Sequence, residues 1–129
     1  MQGAVVDTNI LIRIATGDIP KQARAASQLI RTYGPGGIIL PEAVLAEAVF
    51  VLNSKQNYNL SRAQVRDCLK EILGLEQLSC DRTILDPALK FFATTKLDFV
   101  DCLALAYVKA GRAQKLLSFD TELLSANHK

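Results

Sequence analysis

A chain of 129 residues, half of them hydrophobic and 22% charged, has the length of one domain and enough apolar material for a real core, which excludes a disordered segment. Its longest apolar run, residues 43–52, is interrupted by Glu47 and is shorter than the roughly 20 apolar residues of a membrane span, which excludes a membrane protein. The net charge of +2 decides little by itself.

Three cysteines, Cys68, Cys80 and Cys102, lie far apart with no C-x-x-C spacing, so neither a disulfide framework nor a zinc site is expected. The N-terminus has no basic or signal-like region, and a single domain over residues 1–129 in the cytoplasm is the expectation. The one histidine, His128, sits beside the C-terminus, so any catalysis has to run without histidine. With no Trp and few aromatics, the core must be aliphatic.

Residues 4–6, a β-branched run ending at Asp7, read as a buried strand, and 8–15 carry Ile10, Leu11 and Ile14 at helical spacing. After a break, 21–33 read as an amphipathic helix with Ala23, Ala26, Leu29 and Ile30 on one face, stopped by Gly34-Pro35-Gly36-Gly37. Residues 38–40 are a second strand. Pro41 suits the first turn of a helix reaching about Ser54, apolar nearly all round and therefore central. Ser61 is an N-cap for a helix over 62–73, and 75–80 a third strand. Residues 83–94 read as a helix with Pro87 in its first turn, and Asp98 opens another that ends at Gly111. Residues 115–119 read as the last strand and 121–125 as a last helical turn. Strands alternating with helices predict an α/β fold, a short central parallel sheet flanked by helices.

Four carboxylates stand out. Asp7 and Asp120 each follow a predicted strand, the end at which open parallel sheets collect ligands, although either is also a good helix N-cap. Glu47 is surrounded in sequence by Val44, Leu45, Ala46, Ala48, Val49, Phe50 and Val51. If buried it needs a partner, a metal ion or an arginine; otherwise it lies on a narrow exposed stripe. Glu42, earlier on the same helix, fits a first-turn acid. Asp98 and Asp101 are spaced i, i+3 at the start of an apolar helix, with Asp98 at the N-cap and Asp101 at the third helical position. Gathered in one pocket, such acids cannot all stay ionised without a counter-ion. Hard divalent cations, Mg²⁺ or Mn²⁺, supply that charge and are suited to hydrolysing a phosphodiester without a histidine base. Setting these four aside leaves nine acidic residues against 15 basic ones, a remainder that favours a polyanion.

The same residues resemble the PIN-domain family, in particular its VapC-type toxins. The resemblance lies in Val5-Val6-Asp7-Thr8-Asn9-Ile10-Leu11, Leu40-Pro41-Glu42-Ala43-Val44-Leu45-Ala46-Glu47, Asp98-Phe99-Val100-Asp101-Cys102-Leu103 and Leu117-Ser118-Phe119-Asp120-Thr121-Glu122-Leu123, in order along nearly the whole chain. It implies a PIN-like three-layer α/β/α fold and a metal-dependent endoribonuclease, with Asp7, Glu47, Asp101 and Asp120 as metal-site carboxylates. Asp7 and Asp101 would be the firmest ligands, and Asp120 the one most often dispensable. Thr8 and Asn9 would orient Asp7, Ser118 would be a polar neighbour where Thr is commoner, and Asp98 a secondary acid. It further implies an RNA substrate (tRNA or rRNA), a homodimer, and a cognate antitoxin that blocks the site. The row Arg62, Arg66, Lys70 at i, i+4, i+8 either tracks a phosphate backbone or is a solvated face.

Two other classes compete. A haloacid-dehalogenase-type phosphatase also places an aspartate after its first strand. It needs a second aspartate two residues on, where this chain has Asn9, and a suitable lysine that cannot be identified. A non-catalytic binding module on the same fold is the third reading; a full set of four acids argues against a degenerate site.

Overall fold

The computed structural model describes residues 3–129; Met1 and Gln2, which begin the segment read above for a leader, lie outside them. Three two-residue strands, β1 (Ala4–Val5), β2 (Ile38–Ile39) and β3 (Leu78–Ser79), form a parallel sheet in the order β1-β2-β3. The helices are α1 (Thr8–Thr16), α2 (Pro20–Arg31), α3 (Glu42–Asn53), α4 (Arg62–Leu73), α5 (Arg82–Thr94), α6 (Phe99–Lys109) and α7 (Thr121–Asn127). The expected α/β fold is thus present, helices around a short parallel sheet.

Register aligns Ala4 with Ile38 and Leu78, and Val5 with Ile39 and Ser79. Side chains alternate across a strand, so the first row and the second face opposite ways. Ile38 and Leu78 are buried in the core, as are Val6 and Leu40 just beyond the strands, while Val5, Ile39 and Ser79 are exposed. The core is aliphatic, with Leu11, Leu45, Leu52, Leu69, Leu73, Leu85 and Leu89 among its fully enclosed side chains. Of the cysteines only Cys102 is buried, where desolvation pushes its thiol up to about 11; all three are free.

Four local expectations need correction. Residues 115–119 form no strand; no backbone–backbone hydrogen bond joins 113–119 to any described residue, and Leu117 and Phe119 are fully in solvent. An apolar, β-prone run becomes a strand only when it pairs. Pro41 is the N-cap of α3, in extended conformation, not a first-turn residue. Pro87 lies in the second turn of α5, because the helix begins at Arg82, with Asp81 accepting from the Thr83 amide as its cap. Helix α3 is apolar nearly all round but not buried all round: it buries Leu45, Ala48, Val49 and Leu52 and exposes Ala43, Glu47 and Phe50, a stripe at i, i+4, i+7.

An arginine and a helix cap tie the helices to the loops. Arg82 donates to the carbonyls of Leu73 (2.6 Å), Leu75 (2.9 Å) and Leu78 (2.9 Å), closing the turn from α4 into β3. Ser61 caps α4 in the expected place, accepting from the Gln64 amide, while Gln64 accepts from the Ser61 amide in return. Replacing Arg82 by Ala removes all three donors from partly buried carbonyls and should cost about 2–4 kcal/mol. Urea denaturation should report this as a lower midpoint. Arg82→Lys should recover little of it, since a compact ammonium does not reproduce the planar fork.

Candidate functional site

The proposed acids sit at the starts of three helices and on the outer stripe of a fourth. Asp7 is the N-cap of α1: its Oδ1 accepts from the Ile10 amide at 3.2 Å. Asp120 is the N-cap of α7, its Oδ1 accepting from Glu122 (2.9 Å) and Leu123 (3.1 Å). Both therefore do the capping job that Asp performs well. Capping engages one oxygen of each; the Oδ2 atoms take no hydrogen bond from the described residues. Ser118 accepts from the Asp120 amide at 2.9 Å and so fixes the turn into α7. Thr8 and Asn9 open α1, and their side chains make no hydrogen bond among the described residues.

Glu47 is exposed on the α3 stripe, which removes the argument that burial forces a partner on it. Its apolar neighbours in sequence lie largely on the other side of the helix, because successive residues point about 100° apart. Glu42 behaves as a first-turn acid and also accepts from the Tyr107 hydroxyl at 2.7 Å, linking α3 to α6. Nothing in the sequence pairs residues 42 and 107; only the packing does.

Asp98 and Asp101 occupy the N-cap and third helical positions of α6 as expected. Asp98 is exposed, and its carboxylate makes no capping hydrogen bond. Asp101 is half-buried, and its carboxyl is held above the usual carboxylate range by desolvation first, then by the charges of Asp120 and Asp98. The structure therefore brings Asp98 and Asp120 within electrostatic reach of Asp101. The ion pairs of the described residues, Arg13–Asp18, Arg66–Asp67 and Arg112–Asp81, involve none of the proposed acids. Among the described residues, no three or more His, Cys, Asp or Glu side chains converge closely enough to hold a metal ion. The donors nonetheless suit a hard cation chemically: carboxylate oxygens, unpaired with Lys or Arg, with like charge unrelieved.

The basic row on α4 does not act as a row. Arg62 is half-buried with its guanidinium 3.8 Å from the Phe92 ring centroid, and it donates to the Phe92 carbonyl (2.6 Å) and to the Leu97 carbonyl. Arg66 pairs with its neighbour Asp67 at 2.9 Å. Lys70 is exposed. The i, i+4, i+8 spacing gave no hint that the first member turns inward to serve backbone carbonyls.

The model of the PIN domain family matches residues 4–129. The chain belongs to that family, whose members are typically metal-dependent nucleases. No match was found among curated proteins or among solved structures. No helix of the described residues is long and apolar enough to cross a membrane.

Asp101 has a consequence for stability. Its folded-state carboxyl holds its proton more tightly than a free carboxyl does. Such a group favours the fold most below the unfolded value, and that contribution is lost as pH rises through the raised folded value. At neutral pH the ionised Asp101 therefore costs stability. Asp101→Asn should raise the melting temperature of the metal-free protein by a few degrees at pH 7 and leave it nearly unchanged near pH 3, as read by scanning calorimetry.

Proposed function

We propose that the chain is a Mg²⁺/Mn²⁺-dependent endoribonuclease, one domain over its length, and the toxin of a VapC-type toxin–antitoxin pair. The observation that carries the reading is the half-buried Asp101 at the start of α6, within reach of the charges of Asp98 and Asp120, none of the three being in an ion pair among the described residues. Asp7 and Asp101 are the ligands we assign first to a divalent ion, with Glu47 and Asp120 completing the set. A divalent ion so held supplies Lewis acidity toward the phosphodiester and lowers the pKa of the attacking water. The protein's own part is to aim oxygens at it. Asp7 and Asp120 keep one oxygen on helix amides and leave the other free, and Ser118 fixes the backbone of Asp120. Without the ion, like charge keeps the carboxylates from closing up; their convergence on binding is part of the proposal.

The excess of basic over acidic residues outside this set suits an RNA substrate, tRNA or rRNA, whose backbone is polyanionic. A homodimer in the cytoplasm, silenced by a cognate antitoxin covering the acids, completes the reading. The phosphatase alternative is not favoured, because Asn9 stands where it needs an acid. A binding module without catalysis has no use for unrelieved carboxylates at one helix start.

Labelled RNA incubated with Mg²⁺ or Mn²⁺ should be cut internally, and EDTA should stop the reaction. Asp101→Asn and Asp7→Asn should each lower the rate by roughly 100-fold or more, and Asp120→Asn by less. Phosphate release from a small phosphomonoester, with RNA left intact, is the result that would replace this reading by a phosphatase.

A further inference from the structure

Between the outer stripe of α3 and the start of α6 lies a groove of about 310 Å³, lined by Phe50, Asn53, Arg62, Asp98, Phe99 and Val100 among others. Its two rims are apolar and open: Phe50 is 70% exposed and Val100 67%. Phe50 follows Glu47 by three residues on the same exposed stripe, and Asp98, which lines the groove, is one of the two charges acting on Asp101, so the groove lies next to the proposed carboxylates. An exposed phenylalanine makes no contribution to the core; it is available to a flat apolar partner.

The polar groups of the groove select that partner. The Arg62 guanidinium is stacked on Phe92 and donates to two backbone carbonyls, and Asp98 adds a negative charge, so a phosphate is disfavoured. Asp98 holds the N-cap position of α6 without capping, which leaves its carboxylate free to accept. Asn53 donates its amide to the Leu60 carbonyl at 2.9 Å, and its own side-chain oxygen takes no hydrogen bond from the described residues. The groove therefore offers an aromatic face and hydrogen-bond acceptors beside a phosphodiester-cutting site.

We propose that this groove is a subsite for one unpaired nucleobase carrying an exocyclic amino group, stacked on Phe50 with its N–H edge toward Asp98. The inference rests on the nuclease reading and deepens it. Unpaired bases are held by aromatic stacking and by hydrogen bonds to their edges. Cytosine presents an amino donor where uracil presents a carbonyl acceptor, so an acceptor-lined groove distinguishes the two. Phe50 and Asp98 then set which nucleotide lies beside the cut, while the other carboxylates do the cutting.

The test is fluorescence anisotropy of short fluorescein-labelled oligocytidylate and oligouridylate, with Ca²⁺ replacing Mg²⁺, run beside cleavage of the same RNAs in Mg²⁺. Wild type should bind the cytidine oligomer roughly tenfold more tightly. Phe50→Ala, a surface change that leaves the circular dichroism spectrum intact, should weaken binding of both by roughly 5- to 100-fold, and Phe50→Tyr should restore it. Asp98→Ala should level the two oligomers. Unchanged binding by Phe50→Ala, or an unchanged ratio in Asp98→Ala, overturns the subsite while RNA cleavage by wild type keeps the nuclease reading intact. Wild type that neither binds nor cuts RNA overturns both. A Phe50→Ala protein whose sedimentation shifts from dimer to monomer shows the groove covered by a second copy, and that also overturns the subsite.

Discussion

Arg62 fixes the part of the molecule on which the site depends. It leaves the first turn of α4, lays its guanidinium on the Phe92 ring, and donates to the carbonyls of Phe92 and Leu97. These carbonyls belong to the last turn of α5 and to the residue just before Asp98, so one side chain joins three consecutive pieces of structure. The loop between α5 and α6 is thereby held where Asp98 and Asp101 enter α6. Phe92 also meets Phe99 edge to face, with centroids 6.2 Å apart, which anchors the first residue of α6 from the core side. A carboxylate can be kept half-buried beside other carboxylates only if its backbone is denied the freedom to swing it into water. Arg62 and the Phe92–Phe99 pair impose that restriction.

The second constraint is electrostatic. A helix start favours one acid through its dipole, and Asp101 at the third position of α6 satisfies that preference. Partial burial and two further carboxylates in its field outweigh it, and the raised carboxyl of Asp101 is the physical trace, through desolvation first and the charges of Asp120 and Asp98 after it. Two acids elsewhere are neutralised in ordinary ways. Asp18 is bound by Arg13, Thr16 and the Tyr58 hydroxyl, and Asp81 by Arg112 and Thr83; both carboxyls lie below the usual range. The contrast matters because the arginine that reaches the start of α6, Arg62, is engaged with backbone carbonyls and forms no ion pair with Asp98 or Asp101. Perturbed, unrelieved acids of this kind cluster at functional sites.

Much of this was legible in the sequence because it depends on local rules. Helical spacing located all seven helices to within a few residues. Asp7, Ser61, Asp98 and Asp120 were placed at helix starts by the preference of short polar side chains for N-caps. What was not legible depends on which side of a helix turns outward and on partners distant in sequence. Glu47, among apolar neighbours, read as either buried with a partner or on a narrow exposed stripe, and only the fold decides, because a helix can bury those neighbours and still present residue 47 to solvent. Arg62 read as one of a basic row. The stripe of Ala43, Glu47 and Phe50 at i, i+4, i+7 was the signal that could have found the exposed face, had the glutamate been taken to mark it.

Residues 115–119 show the same limit from the strand side. The run Leu116-Leu117-Ser118-Phe119 has the composition of a strand, and the free side of β1 would take one more neighbour in a parallel sheet. Composition states what a segment gains if paired; it does not supply the pairing. In the structure the segment is held by Leu116, which packs against the core, and at its end, where Ser118 accepts from the Asp120 amide and Asp120 caps α7. Asp120 is therefore positioned by its own turn and by the packing of α7 on α6, not by the sheet. Asp7 is placed differently, two residues beyond a strand whose register is set by β2. An aspartate held by a local turn can shift more easily than one held by the sheet. In the proposed site, that difference in mechanical support would make Asp120 a more adjustable ligand than Asp7.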